Sequence, residues 1–365
     1  MALVGTINAP NNFGFKNRII NGAMTIAQYG TTTTLVTGNS NGFAADRFRG
    51  FNIGTGACSI IQATNAPPST NGFINSVQID VTTADTSIAA GELYMIRQVI
   101  EGLNITDLAW GTANAKTITL SFWVSSPKTG THFVAFKNSA QDRAYAASYT
   151  ISVADTWEFK TITVAGDQSG TWLTTNGTGI QVCWNLAVGS TFQTATANVW
   201  AAGDVYATSA QVNVMDSTAN NFYIAGVQLE KGSTATSFDY RPYGTELALC
   251  QRYYYKVVTE SAAAKQLAPN GFVDSTTTAF CWTQFPVEMR ISATALEQTG
   301  TAANYQVRYT AGSAAICSSV PTFNTGNTWG ARSVFTTAAV LTSGQAVGLQ
   351  TAATAGIYLA WSAEL

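Results

Sequence analysis

The sequence predicts an all-β chain: an antiparallel β-sandwich of jelly-roll type followed by a smaller β-rich C-terminal domain. Three observations carry that expectation. Charged residues make up only 10% of the 365, well under the usual level of about 25%. Thr, Ser, Asn, Gln and Gly supply the polarity instead, which suits sheet faces and turns and suits long surface helices poorly. Apolar residues recur with period two over short runs, and Gly- and Asn-rich segments divide those runs.

Taken in order, the strand signals begin at Thr117–Ser125, where Ile118, Leu120, Phe122 and Val124 share one face and Trp123 takes the other. In Gly179–Leu186, Ile180, Val182, Trp184 and Leu186 point one way, and Gln181, Cys183 and Asn185 the other. Similar runs are His132–Lys137, Glu158–Val164, Gln211–Val214 and Phe222–Leu229. The segment Gly91–Gly102 reads equally as helix or strand, because Leu93, Ile96 and Ile100 recur at helical spacing between flanking glycines. A short helix is expected through Glu246–Arg252. Pro242 and Gly244 punctuate the chain near Arg241–Gly244, and new β-type runs follow at Phe280–Pro286, Tyr305–Tyr309, Arg332–Phe335 and Ile357–Trp361. The expected division is therefore an arm over 1–15, a sandwich over 16–243 and a C-terminal β-domain over 244–365.

Composition excludes several function classes. Hydrophobic residues at 46% and aromatics at 11% can fill a sizeable core, so the chain is not a disordered one. A net charge of −2 offers no coat for a phosphate backbone, and no nucleic-acid partner is expected. The first residues, MALVGTINAPNNFGFKNR, show no basic start before an apolar run. No stretch approaches the ~18 apolar residues of a membrane span, so no membrane insertion is expected, and the chain is expected to be made and folded in a cytoplasm. The five cysteines, Cys58, Cys183, Cys250, Cys281 and Cys317, are too widely spaced for a CxxC site and read as small buried hydrophobes.

Chemistry is hard to find. The single histidine, His132, sits in a strand-like run, and no GxSxG turn accompanies it. Acidic pairs such as Asp142 with Asp155, or Asp155 with Glu158, look no different from solvated loop charges, although a glycosidase would need two carboxyls roughly 5–10 Å apart. The expectation is a non-enzyme with no catalytic residue and no cofactor. A structural calcium ion is compatible with the fold class, with Asp46 a candidate oxygen ligand, against which stands a salt bridge to Arg47 or a turn cap. The aromatics say more. Sugar rings stack on exposed aromatic faces, and Trp123, Trp157 and Trp172 are candidates to present one. Tyr253, Tyr254 and Tyr255, in the run Arg252–Lys256, are candidates for a glycan contact or a buried subunit contact.

Three stretches carry a resemblance: NRIINGAM (Asn17–Met24) with the Asp-Arg-aromatic group Asp46–Phe48; VQLEKGSTATSFDYRPYGTELALCQRYYYK over 227–256; and FPVEMR (Phe285–Arg290) with the terminal WSAEL. Together they resemble tail-fibre and receptor-binding proteins of tailed bacteriophages. Phe48 stands where that group more often ends in Trp. The middle of the chain resembles a carbohydrate-binding-module-like jelly roll, and the part after CQRYYYK a small β-domain of fibre C-termini. The resemblance implies a homotrimeric virion protein of the tail. Its partners would be other tail or baseplate proteins and a host surface glycan. The alternative is a head-decoration or collar fibre protein without host recognition.

Overall fold

The computed structural model describes residues 15–260, 266–310 and 313–365. Apart from Phe15, the expected N-terminal arm lies outside them. The chain is a β protein, and every strand pairing among the described strands is antiparallel. Two sheets form the sandwich. The six-stranded sheet runs in the order Thr32–Leu35, Ala57–Ala63, Ser76–Thr83, Asn221–Lys231, Ile118–Ser125, Glu158–Val164. The seven-stranded sheet runs Trp200–Ala202, Arg143–Ile151, Gly130–Lys137, Thr178–Val188, Leu93–Glu101, Arg49–Gly54, Gly38–Phe43. Between them lies one core that includes Ile118, Leu120, Phe122, Val124, Ile96, Val182 and Trp184. The expected inward faces of Thr117–Ser125 and Gly179–Leu186 are the observed ones.

The outward faces differ from expectation on the seven-stranded sheet. Thr178–Val188 is buried almost throughout, Cys183 included. The chain after it returns across the sheet, and Tyr206 and Ala207 pack over Leu93, Met95, Phe133 and Cys183 in a second apolar layer. This also settles Gly91–Gly102, which holds the strand Leu93–Glu101. Leu93 faces the covering layer while Ile96 and Ile100 face the inter-sheet core, so the helical spacing was a coincidence of burial on both sides. Gln211–Val214 is not a strand. Asn213 accepts a hydrogen bond from Met215 N (2.8 Å) and caps the short 3-10 turn Val214–Asp216.

A smaller β unit follows. Its sheets are a seven-stranded one, spanning strands from Gln266–Val273 to Ala346–Thr351, and a three-stranded one of Tyr254–Val258, Tyr358–Ser362 and Glu297–Gln298. Trp361, Tyr305, Phe335 and Leu349 fill its own core. The helix Tyr243–Gln251 precedes it. It starts just after Pro242, whose fixed φ suits a helix entrance. No helix among the described residues is long and apolar enough to cross a membrane.

Candidate functional site

Part of the outer face of the six-stranded sheet stays open, and alternation places aromatic side chains there. Phe122 points into the core, so Trp123 points out. Phe159 of the neighbouring strand stands directly opposite Trp123 in the ladder, with ring centroids 5.3 Å apart. One row along, Tyr223 lies opposite Ser125, and Trp157 packs beside it at 5.9 Å. Trp157 is half-buried and its Nε1 reaches Asn65 Oδ1 at 3.4 Å. Trp123 and Trp157, two of the expected glycan candidates, therefore share one aromatic stripe.

The stripe runs into a groove of about 450 Å³ lined by Trp123, Phe159, Phe73, Phe238 and Tyr240, with Asn71, Ser121 and Thr236 among its polar edges. The floor depends on a bulge. The ladder between Asn221–Lys231 and Ile118–Ser125 slips between Ala225 and Gln228. Gly226 takes φ +57° there, and a Cβ on it would meet the Phe73 ring at 2.5 Å. A glycine both permits that backbone and admits the ring. The wall is built by the return segment after the strand. Gln228 holds it by donating Nε2 to Thr236 O and Ser237 O, each at 3.3 Å, and accepting from Asp239 N at 2.7 Å. Glu230 accepts from Thr236 N (2.8 Å) and Thr236 Oγ1 (2.7 Å). These ties present Phe238 and Tyr240, which pack on Phe73 at 5.0 and 5.7 Å. Tyr240 Oη donates to Asn71 O at 2.9 Å and fixes the ring at the rim. The groove is thus preformed, and none of its lining side chains is an acid, a lysine or an arginine.

The other candidates go elsewhere. Trp172 is buried, edge-on to Trp110 (4.6 Å) and Trp200 (5.4 Å), with Nε1 bonded to Ser169 O. It presents no face to a ligand. Tyr253 and Tyr254 are buried within this chain, and Tyr255 is partly buried. Tyr253 is fully buried, lies 3.6 Å under the Arg47 guanidinium and donates to Glu101 at 2.6 Å. Tyr254 is buried, stacks on Tyr29 at 3.6 Å and donates to Glu297. Tyr255 packs on Phe285 and Trp361 in the second core.

The quoted motifs supply ties within the sandwich, within the C-terminal unit and, through Arg252 and Glu101, between the two. Asn17 donates to Val227 O and accepts from Leu229 N, both at 3.0 Å. A Cβ at Gly22 would stand 2.2 Å from Val227 O. Asn21 bonds Ile26 and Asp46 O. Arg252 makes a fork to Glu101 at 2.6 and 2.9 Å. Burial works to raise the Glu101 pKa, but the bonds from Arg252 and Tyr253 hold it below the usual carboxylate range. Arg290 donates to Ala363 O (2.7 Å) and Glu364 O (2.6 Å).

Arg47 pairs with Glu364, not with Asp46. Both Asp46 oxygens instead accept from Gln28 at 2.6 Å. Burial pushes the Asp46 carboxyl up to about 6. His132 is buried, donates Nε2 to Lys128 O (2.9 Å) and is pushed down to about 4 by burial. All five cysteines are buried free thiols, and burial lifts Cys58, Cys281 and Cys317 to about 12, so none is a ready nucleophile. Among the described residues no cluster of three or more His, Cys, Asp or Glu could hold a metal ion.

No family model and no curated protein sequence matches the chain. Several solved structures do. The enzymatically active domain of tailspike protein 4 from bacteriophage CBA120 is similar at 11% identity and TM-score 0.29, over 59% of this chain and 21% of that one. This chain thus spans about a fifth of the tailspike chain. The CBM22-1 xylan-binding domain from Paenibacillus barcinonensis is similar at 9% identity and TM-score 0.30, over 61% of this chain and 98% of that one. The family 11 carbohydrate-binding module of a Clostridium thermocellum cellulosomal cellulase is similar at 11% identity and TM-score 0.27, over 55% of this chain and 98% of that one.

Proposed function

We propose that the chain is a non-enzymatic attachment protein of a tailed-phage particle, a homotrimer that holds a host surface saccharide in the aromatic groove. The groove is the observation that carries the binding half of this reading. Trp123 and Phe159 offer faces for the apolar C–H side of a sugar ring. Asn71, Ser121 and Thr236 offer hydroxyl partners at the rim. The absence of charge in the lining favours a neutral sugar. The appendage half rests on the motif resemblance. Three copies on one particle would multiply weak contacts into firm adsorption.

Affinity electrophoresis in neutral host polysaccharides tests the groove. Retardation of the native protein is expected, with roughly tenfold weaker binding for Trp123→Ala, a loss of about 1.4 kcal/mol. Equal retardation of both would remove the groove from the reading. Light scattering should give about 116 kDa for three copies of the 38.6 kDa chain, and a monomer would remove the trimer. Release of reducing ends from the polysaccharide would overturn the non-enzymatic part.

A further inference from the structure

The outer face of the seven-stranded sheet is covered in part. On that face Arg49 of Arg49–Gly54 lies directly opposite Arg97 of Leu93–Glu101, whose other neighbour across the ladder is the covered Cys183. Both side chains are half-buried and share the face of Phe51 and Met95. Like charges placed directly across a strand pair repel. Neither guanidinium forms an ion pair among the described residues. Their partners are neutral. Arg49 Nε donates to Asn41 Oδ1 at 3.0 Å, and Arg97 Nη1 donates to Gln181 Oε1 at 3.0 Å. Arg97 Nε is buried and donates to no protein atom.

The nearby carboxylates are already spoken for. Glu364 borders the same notch but pairs with Arg47. Asp204 pairs with the buried Lys137, whose neighbour across the ladder is Gln181. The rings of Phe43 and Phe51 underlie the two guanidiniums at 5.8 and 5.6 Å, and they hold the forks along the sheet. Arg49 Nη2 also donates to Asn41 Oδ1, so the donors left over are Nη1 of Arg49 and Nη2 of Arg97; two adjacent guanidiniums with spare donors and no ion pair of their own suit an oxyanion.

We propose that Arg49 and Arg97 form a binding site for an oxyanion presented by a saccharide, as the carboxylate of an acidic sugar or as a sugar phosphate. The site lies on the sheet opposite the groove, so it stands or falls apart from the reading of the groove. The probes are glucuronate and glucose 6-phosphate, with glucose and sodium chloride at matched ionic strength as controls. The readout is thermal melting of the full chain together with titration by NMR.

Glucuronate or glucose 6-phosphate should raise the melting temperature and bind saturably, and the two controls should do neither. The larger response of the two assigns carboxylate or phosphate. In the double variant Arg49→Gln, Arg97→Gln the response should vanish, while Trp123→Ala should keep it. The variant should melt no lower than the native chain without anion, because the repulsion is gone. Should it fail to fold, Arg97→Lys keeps the charge and loses the fork, and at least fivefold weaker anion binding is expected. No response of the native protein to either anion would overturn the proposal. So would a response that survives the double variant or is unchanged in Arg97→Lys.

Discussion

The two outer faces of the sandwich start from similar strands and finish as different surfaces. On the six-stranded sheet, Trp123, Phe159 and Tyr223 stand outward with nothing laid across them but a rim. On the seven-stranded sheet, residues 190–212 return over the strands and bury Cys183, Met95 and Phe133, while Arg49 and Arg97 stay half-buried. The strands do not decide the difference. The long connections do, because one lays an apolar layer across its sheet while the other, pinned to the inner strand Asn221–Lys231 by Gln228 and Glu230, walls a groove and leaves Trp123 and Phe159 beside it.

The widest test of that comparison strikes what both faces share. Trp184 is fully buried between the sheets, against Phe48 and Phe122. Trp184→Ala should cost about 3–5 kcal/mol, seen as a lowered urea midpoint, and should weaken groove and arginine pair together. If only one face suffers, the core does not couple them. Next comes the junction. Arg252→Ala leaves Glu101, whose side chain is 1% exposed, without its counter-charge and with only the Tyr253 bond, and should cost about 3 kcal/mol. By contrast, removing the exposed Arg18–Asp107 pair should cost under about 1 kcal/mol. Equal costs in urea unfolding would mean that the junction is only a surface contact.

Gly226→Ala separates the faces. Its Cβ would strike the Phe73 ring, and φ +57° strains any side chain. A loss of about 1–2 kcal/mol is expected, along with several-fold weaker groove binding and an unaltered arginine pair. The smallest effect concerns acid. His132 is held near 4, against 6.5 when unfolded. Its contribution is full above about pH 6.5 and is lost as pH falls toward 4. Asp46 is pushed up to about 6 from 3.8, so its contribution is full below about 3.8 and is lost as pH rises through 6. Between pH 4 and 6 the two oppose. Urea unfolding at pH 7 and 4.5 should therefore show His132→Gln losing less stability on acidification than the native chain. An equal loss would put the acid sensitivity elsewhere.

The open face was legible for the same reason that it is open. A sheet with one wet side writes period two into its sequence, and Trp123 falls on that side by parity alone. The covered sheet erases the signal, since both parities of Leu93–Glu101 are buried. The burial of Trp172 is not legible locally, because its partners, Trp110 and Trp200, are far away in sequence. Phe73, Phe238 and Tyr240 could not be found from local pattern, because side-chain ties to another strand place them. Phe238 and Tyr240 did lie inside a motif that looked specific, which was the available hint. Gly226 in an apolar run was a second, as an interior glycine marks a bulge.

The junction ties also bear on inheritance. Arg47, Glu101, Arg252 and Glu364 come from four separate stretches of the chain, yet they join in two ion pairs. A genetic crossover near the helix would bring together halves that had not been selected as partners. Glu101 would then face a foreign residue where Arg252 had been, and Arg47 would lose Glu364. The sandwich and its C-terminal unit are therefore poor candidates for independent exchange between relatives. Any shuffling that changes the groove should swap the loops around it and leave these four residues together.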